Sequence, residues 1–198
     1  MRSLNERLTA AFAAIDAANE ADPTVVTVRG EDLPLALAHG RLASGWVLRL
    51  VAAPDDALLI ATRAHHLRRW EVPRSDYPEG RPAYLRWRKD QKARHARDVA
   101  TLLEPLGYSA DEIARTQALI RREGLGVDAD AQAVEDAACL VFIETQLSAM
   151  VPRFERQHYL DVIRKTARKM SPQGLAAVSG IPLDETAQAL LAEAFAVS

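Results

Sequence analysis

The chain has few of the features from which secreted or membrane-spanning proteins are built. Of its 198 residues only Cys139 is a cysteine, which excludes an internal disulfide and fits a reducing cytoplasm. No uninterrupted apolar run reaches the roughly 18 residues of a membrane-spanning helix. The segment Met1–Glu6 lacks a continuous apolar core, so we expect no signal peptide and a cytoplasmic protein without membrane contact.

The net charge of the chain is also small, with a formal value of −2 at pH 7. The distribution of charge is uneven, however. Between Arg63 and Arg97 there are eleven Lys or Arg residues and four Asp or Glu residues, a local balance of +7 that leaves −9 for the rest of the chain. A basic segment in an acidic protein predicts an anionic ligand at that segment.

Strand signals are scarce, and the sequence is typical of helices joined by short segments that contain proline or glycine. It predicts an all-α, single-domain helical bundle over residues 1–198. The β-branched segment 24–28 is predicted to be an extended linker, and 73–82 a loop. Helix starts are marked by capping boxes at 3–6 and 109–112, by Asp55 and Asp130, and by Ser171-Pro172. The expected helices run from about 4 to 21, 34 to 53, 55 to 70, 83 to 103, 109 to 124, 130 to 150, 155 to 170, and from 171 onward.

Three residues in three different predicted helices are candidate ligands of a divalent metal: His66, His95 and Asp136. A neutral imidazole binds transition metals, and a carboxylate offsets their charge. Side chains from separate helices can meet inside a bundle, which predicts a site for manganese, iron or zinc. No zinc-ribbon or zincin motif supports it.

The remaining histidines are weaker candidates for this metal site. His65 and His66 cannot share one face of a helix, so only one of the two is expected to be a ligand. His39 and His158 have no supporting sequence context.

Two acids near Asp136 are candidate catalytic groups. Glu135 precedes the apolar run 137–142, and Glu144 lies about two helical turns beyond Asp136 on a similar face. Either carboxylate would position or deprotonate a water molecule.

The basic segment predicts contacts to phosphate, since the planar guanidinium binds phosphate oxygens in pairs. Aromatic residues alternate with these arginines and would stack on a base, although we expect the tryptophans to pack in the core. A second cationic cluster at 164–169 is interpreted as a solvated helix face, with ligand binding as the alternative. The candidate substrate-binding residues are Arg69, Arg74, Arg81 and Arg88.

Several of these segments together resemble an uncharacterised family, domain of unknown function 4202. The resemblance rests on 66–74, Tyr77-Pro78, Arg81, Tyr84-Leu85, Trp87-Arg88, His95-Ala96, 135–144, 164–166 and 169–171.

The arrangement is also similar, more loosely, to HD-domain metal-dependent phosphohydrolases. Those are helical bundles in which a first histidine, a His-Asp pair and a later aspartate bind divalent metal. The resemblance implies that His66 is the first histidine, His95 the second and Asp136 the late aspartate. Ala96 stands where the paired aspartate belongs, and the sequence leaves open whether Glu135 or Asp98 replaces it.

Two functions remain open at this point. The first is a metal-dependent hydrolase of a phosphorylated small molecule such as a nucleotide. The second is a non-catalytic module that binds nucleotide or RNA on a degenerate HD-like scaffold.

Overall fold

Helices dominate the structure, as the sequence predicts. A computed structural model describes residues 6–151 and 155–196. The helices are α1 (Glu6–Asn19), α2 (Leu35–Leu50), α3 (Asp56–Arg63), α4 (Arg81–Leu103), α5 (Ala110–Arg121), α6 (Ala129–Met150), α7 (Arg156–Ala167), α8 (Pro172–Ala177) and α9 (Glu185–Ala196). The all-α class is confirmed. Among the described helices, none combines the length and the apolar character that crossing a bilayer requires.

The predicted extended linker at 24–28 is in fact part of a β-hairpin, and that prediction is wrong. Strand β1 (Val25–Val28) pairs with β2 (Glu31–Pro34) in antiparallel register. Arg29 and Gly30 connect the strands, with φ values of 54° and 86°. Two consecutive positive φ angles are typical of the type I′ turn, whose usual sequence is Asn-Gly or Asp-Gly. An arginine in the first position concealed the hairpin from sequence reasoning.

Several helix boundaries also differ from the prediction, each for a local reason. Helix α3 ends at Arg63 instead of continuing to residue 70. The N-cap of α6 is Asp128, whose carboxylate accepts the backbone N–H of Asp130, the residue predicted to be the cap. The capping box at Ser109 and the Ser171 cap before α8 are confirmed. Most of the capping box predicted at 3–6 lies outside the described residues.

The centre of the core is helix α6. Its residues Ala137, Leu140 and Val141 are almost fully buried, because α2, α3 and α5 pack around it. Helix α3 also packs on α2 and α5, and α4 lies along α5. This packing places the N-terminal end of α2, the segment that follows α3 and the inner face of α4 around one cavity beside α6.

Candidate functional site

A group of three histidines lies at this cavity. His39 belongs to α2, and His65 and His66 follow the end of α3. Each histidine contributes one ring nitrogen, and these three nitrogen atoms all lie within 4.8 Å of one another. The Nδ1 atoms of His39 and His66 are 2.9 Å apart, and the rings of His65 and His66 stack with their centroids 4.1 Å apart. Three imidazoles this close can act as ligands to one metal ion.

Consecutive histidines face the same point because the helix has already ended. After Arg63 the chain forms successive turns, and Arg68 adopts a left-handed conformation with φ of 51°. The backbone N–H of Arg68 donates to Oδ1 of Asn19 at 2.9 Å, which fixes this irregular segment to the end of α1. The expectation that His65 and His66 point to opposite helix faces assumed a continuous helix, which these turns replace.

Gly40 allows His39 to approach the other two histidines. A Cβ atom at this position would lie 2.5 Å from the carbonyl oxygen of Arg63. Only glycine therefore lets α2 pack this closely against the end of α3. His39 is adjacent to this contact, so the close packing of the helices places its ring beside His66.

Hydrogen bonds determine which ring nitrogen of His39 and of His65 carries the lone pair. Thr145 donates its hydroxyl proton to the carbonyl of Val141 at 2.7 Å, so its oxygen accepts from Nε2–H of His39 at 3.1 Å. The lone pair of His39 is consequently on Nδ1, where it accepts a hydrogen bond from Nδ1–H of His66 at 2.9 Å. Nδ1–H of His65 donates to the carbonyl of Thr62 at 2.8 Å, which leaves Nε2 as its lone-pair atom. Such outer contacts orient histidines that bind metals.

All three rings are neutral at physiological pH. Burial lowers the pKa of His39 to about 4, and the charge of Arg69 adds to the effect. Burial holds the pKa values of His65 and His66 well below their usual range; Arg122 contributes at His65, and His65 and Arg69 contribute at His66. A neutral imidazole is the form that binds a metal.

His95, a predicted ligand, lies beside this group but is not part of it. Its ring is 6.4 Å from that of His66, between centroids, and it lines the same cavity. The ring is buried, yet neither nitrogen has a hydrogen-bond partner of normal geometry within the described residues. Burial lowers the pKa of His95 to about 3, with Arg69 and Arg94 adding to the effect and only the backbone of Leu67 opposing it.

The structure does not bring Asp136 to the histidines. Its carboxylate accepts from the backbone N–H of Ser171 at 2.8 Å, from the Ser171 hydroxyl at 2.5 Å and from Gln132 at 3.0 Å. A Cβ on Gly174 would lie 2.6 Å from its carboxyl carbon, so α8 packs directly on it. Asp136 lines a separate small cavity and serves to attach α8 to α6.

Glu144, which the sequence predicts to be a catalytic group, also makes contacts that connect parts of the fold. It accepts from the indole N–H of Trp46 at 2.9 Å and pairs with Arg29 at 2.8 Å, which links α6 to α2 and to the hairpin turn. Ala96, at the position of the missing paired aspartate, is fully buried in the core. Asp98 does not line the cavity of the histidines.

The cavity around the histidines has a volume of about 980 Å³ and is strongly basic. Three of the predicted substrate-binding residues, Arg69, Arg81 and Arg88, line this cavity. Arg74 does not, because its guanidinium donates to the carbonyls of Tyr77 and Pro78 and stabilises its own loop. The acids in its wall are Asp22, which accepts backbone N–H groups of Thr24 and Ala36, and Glu135. The cationic side chains in its wall are Arg69, Arg81, Arg88, Lys92, Arg122, Lys165, Arg168 and Lys169.

Two basic segments that are distant in sequence therefore share one cavity. The cluster at 164–169 is interpreted from the sequence as a solvated face, and Lys165, Arg168 and Lys169 are indeed exposed, but they also line the cavity. Arg69 is the cation whose charge acts on His39, His66 and His95. It lies over the ring of Trp87 at 4.4 Å, and burial lowers its pKa to about 10.

Cys139 and Trp87 agree with the sequence interpretation, whereas Trp70, also predicted to pack in the core, is only half-buried and lines the cavity. Cys139 is buried, and burial raises its pKa to about 12, so it is a protonated thiol. Trp87 is buried, and its indole N–H donates to the carbonyl of Val72 at 3.0 Å. These residues contribute apolar wall and no reactive group.

Sequence reasoning missed His39 and His65, and it did not predict that cations outside the first basic segment line the same cavity. A signal for His39 is present, because a glycine follows a histidine in an apolar helix. Glycine inside a helix often marks close contact with another segment.

Comparison with known proteins gives a family and no activity. No curated protein and no solved structure matches the chain. A family model with the description "domain of unknown function (DUF4202)" matches residues 9–191. This match covers most of the chain and confirms the resemblance drawn from its motifs. The chain belongs to the DUF4202 family.

Proposed function

We propose that the protein is a metal-dependent hydrolase of a phosphorylated small molecule, of about the size of a nucleotide. The observation that carries this proposal is that the histidine group and eight cationic side chains line the same cavity. Histidines supply metal ligands, and arginines and lysines bind the negative charge of phosphate. Ligand cavities of small molecules typically have volumes of about 300–1,000 Å³, a range that includes this one.

The residues present fit a transition metal. His39, His65 and His66 would hold it, and each is neutral at pH 7. Because imidazole is the shared donor, zinc or iron is favoured over manganese, which prefers oxygen ligands. A metal bound by three histidines activates water and polarises a phosphoryl oxygen.

The surrounding side chains have distinct roles in this proposal. Arg69 stabilises negative charge that develops on the phosphoryl group next to the histidines. His95 offers a hydrogen bond to the ligand, because its buried ring lacks a partner of normal geometry. Neither Glu135 nor Glu144 has a role as a base in this proposal, because Arg122 pairs with Glu135 and Arg29 pairs with Glu144.

The similarity to HD-domain phosphohydrolases belongs to this proposal in a revised form. The first histidine of that pattern would be His39, and the pair would be His65-His66 in place of His-Asp. This assignment follows the spatial group instead of the spacing that suggested His66 and His95.

Elemental analysis tests the metal part of the proposal. Purified wild-type protein should contain about one equivalent of zinc or iron. The variants His39→Ala and His66→Ala should lose it and remain folded by circular dichroism. His158→Ala, an exposed histidine outside the cavity, should retain it.

Turnover is then measured with the metal-loaded protein against nucleoside mono-, di- and triphosphates. We expect phosphate release that His39→Ala abolishes. Full metal content in both cavity variants, or no metal after incubation with zinc, iron and manganese, would overturn the assignment.

A second candidate function is a binding module without catalysis. It is favoured by one observation: the histidine group contains no carboxylate among the described residues. In that case nucleotide binds to metal-free protein, Arg69→Ala weakens the binding, and no phosphate is released. The cations line a cavity instead of following an exposed surface, so a small molecule fits better than RNA, whose binding would fall steeply with salt.

A further inference from the structure

Four of the cavity cations line the same cavity as a single carboxylate, Glu135. Arg88 and Lys92 lie one turn apart on α4, Arg122 caps the C-terminus of α5, and Lys169 follows α7. The charges of all four act on Glu135 of α6. We call Arg88, Lys92, Arg122 and Lys169 the cationic tetrad.

Only one member of the cationic tetrad has an ion-pair partner among the described residues. Nε of Arg122 lies 3.2 Å from Oε2 of Glu135, and both side chains are more than nine-tenths buried. Arg88, Lys92 and Lys169 line the cavity with no ion pair in the described ranges. Four positive charges therefore face one negative charge, which leaves an excess of three.

The structure fixes the guanidinium of Arg122 and the backbone of Lys169, while the Lys169 side chain is exposed to solvent at the cavity. Arg122 adopts a left-handed conformation with φ of 63°, a position that favours glycine, and its guanidinium donates to the carbonyls of Leu119 and Ile120. The backbone carbonyl of Lys169 accepts from Gln132 of α6 at 2.8 Å. Cations that line one cavity repel one another unless an anion balances them.

We propose that the cationic tetrad is a binding site for a phosphate monoester group, separate from the histidine group, with Glu135 as its internal counter-ion. A phosphate monoester carries about −1.5 to −2 charges at pH 7 and offsets most of this excess, and charged N–H donors form strong hydrogen bonds with phosphate oxygens. The proposal extends the proposed function, and rests on it for the rest of the ligand. A substrate that reaches both sites carries two phosphoryl groups, one held by the cationic tetrad and one beside the histidines.

The cationic tetrad and the histidine group are neighbours. The charge of Arg122 acts on His65 and His95 as well as on Glu135. The charge of Arg69, which lines the same cavity, acts on His39 and His66. The substrate class is therefore a compound with two phosphoryl groups, such as a nucleoside bisphosphate or polyphosphate.

The test uses inorganic phosphate and protein freed of metal with a chelator, so that the histidine group does not contribute. Calorimetric titration should show binding in the wild type. Lys92→Gln and Lys169→Gln should each weaken it about tenfold, the loss typical of a charge-assisted contact. The matched control Lys89→Gln, on the exposed face of the same helix, should bind like the wild type. Glu135→Gln should bind phosphate several-fold more tightly, because the competing carboxylate is gone.

Three outcomes overturn the proposal: no phosphate binding without metal, unchanged binding in both cavity lysine variants, or an equal loss in Lys89→Gln. Failure of the proposed function is distinguishable. Suppose that the wild type binds no metal, but that Lys92→Gln and Lys169→Gln weaken phosphate binding and Lys89→Gln does not. The phosphate site would then be supported, and the proposed metal-dependent hydrolase would be excluded.

Discussion

At the scale of single residues, Thr145 illustrates how a side chain outside the ligand set controls a site. Its hydroxyl proton goes to Val141, so its oxygen can only accept from His39, and this fixes the lone pair of His39 on Nδ1. The sequence of α6 gives no hint of this role, because a threonine in a helix usually bonds to its own backbone.

Replacing Thr145 should therefore weaken metal binding without removing a ligand. Thr145→Val leaves Nε2–H of His39 without an acceptor, and we expect metal affinity to fall by about 10- to 100-fold. Thr145→Ser keeps the hydroxyl and should bind metal like the wild type. Competition with a chromophoric chelator measures both affinities, and equal affinities in the two variants would contradict the assigned orientation of His39.

Lys92 makes phosphate binding dependent on pH. Burial lowers its pKa to about 8, and Arg122, Arg88 and Lys169 contribute while Glu135 opposes them. Because Lys92 loses its charge as the pH rises through that value, phosphate affinity should decrease between about pH 7 and 9. Lys92→Arg keeps the charge and should show a smaller decrease. Calorimetric titrations at several pH values check this, and identical pH profiles for the two proteins would count against Lys92 as the cause.

At the scale of helices, the contact between α2 and α3 decides whether the histidine group forms. Gly40→Ala places a Cβ 2.5 Å from a backbone oxygen, so the helices must separate. We expect a loss of about 1–3 kcal/mol in the free energy of unfolding and weaker metal binding. On the same helix Gly45 has no atom within 4 Å of an added Cβ, so Gly45→Ala should be neutral or stabilising. Urea denaturation and metal titration measure the two effects, and a Gly40→Ala protein as stable as wild type would contradict this packing.

The attachment of α8 is the second contact between elements that the structure explains. Asp136→Ala removes the acceptor of two Ser171 donors and of Gln132, and we expect a loss of about 1–3 kcal/mol in stability. Metal content should not change, because the histidines lie elsewhere. A folded Asp136→Ala protein without metal would instead restore the role that the sequence predicted for this aspartate.

Helix positions were predictable from the sequence because caps are local. Ser109 and Ser171 bind N–H groups three residues away, and such contacts need no other part of the chain. The end of α3 was not predictable in the same way. It depends on Asn19, which accepts from Arg68 at a distance of 49 residues.

At the scale of the whole molecule, buried neutral histidines make stability dependent on pH. In metal-free protein the pKa of His39 is about 4 and that of His95 about 3, against an ordinary value of 6.5. The unfolded chain therefore takes up protons first as the pH falls below about 6.5. The free energy of unfolding should decrease from there down to about pH 4, and it should be constant near and above pH 7 as far as these groups are concerned.

Urea denaturation of the metal-free protein at several pH values measures this slope. His95→Gln removes one of the titrating rings and should decrease less steeply over the same range. A stability that is flat between pH 7 and 4.5 in the wild type would contradict the burial of these rings as neutral groups.

The sequence by itself determined the helical class, most of the helices and the density of cations between residues 63 and 97. These properties depend on local periodicity, capping and composition. Only the tertiary structure decided which side chains meet. A helix contact at Gly40 brings His39 to His65 and His66. The carboxylate of Asp136 binds Ser171 at the start of α8 and does not reach the histidines. Lys169, from the C-terminal part of the chain, lines the same cavity as Arg88 and Lys92. The physical reason is that a site is made by packing between distant segments, which no local pattern of residues encodes.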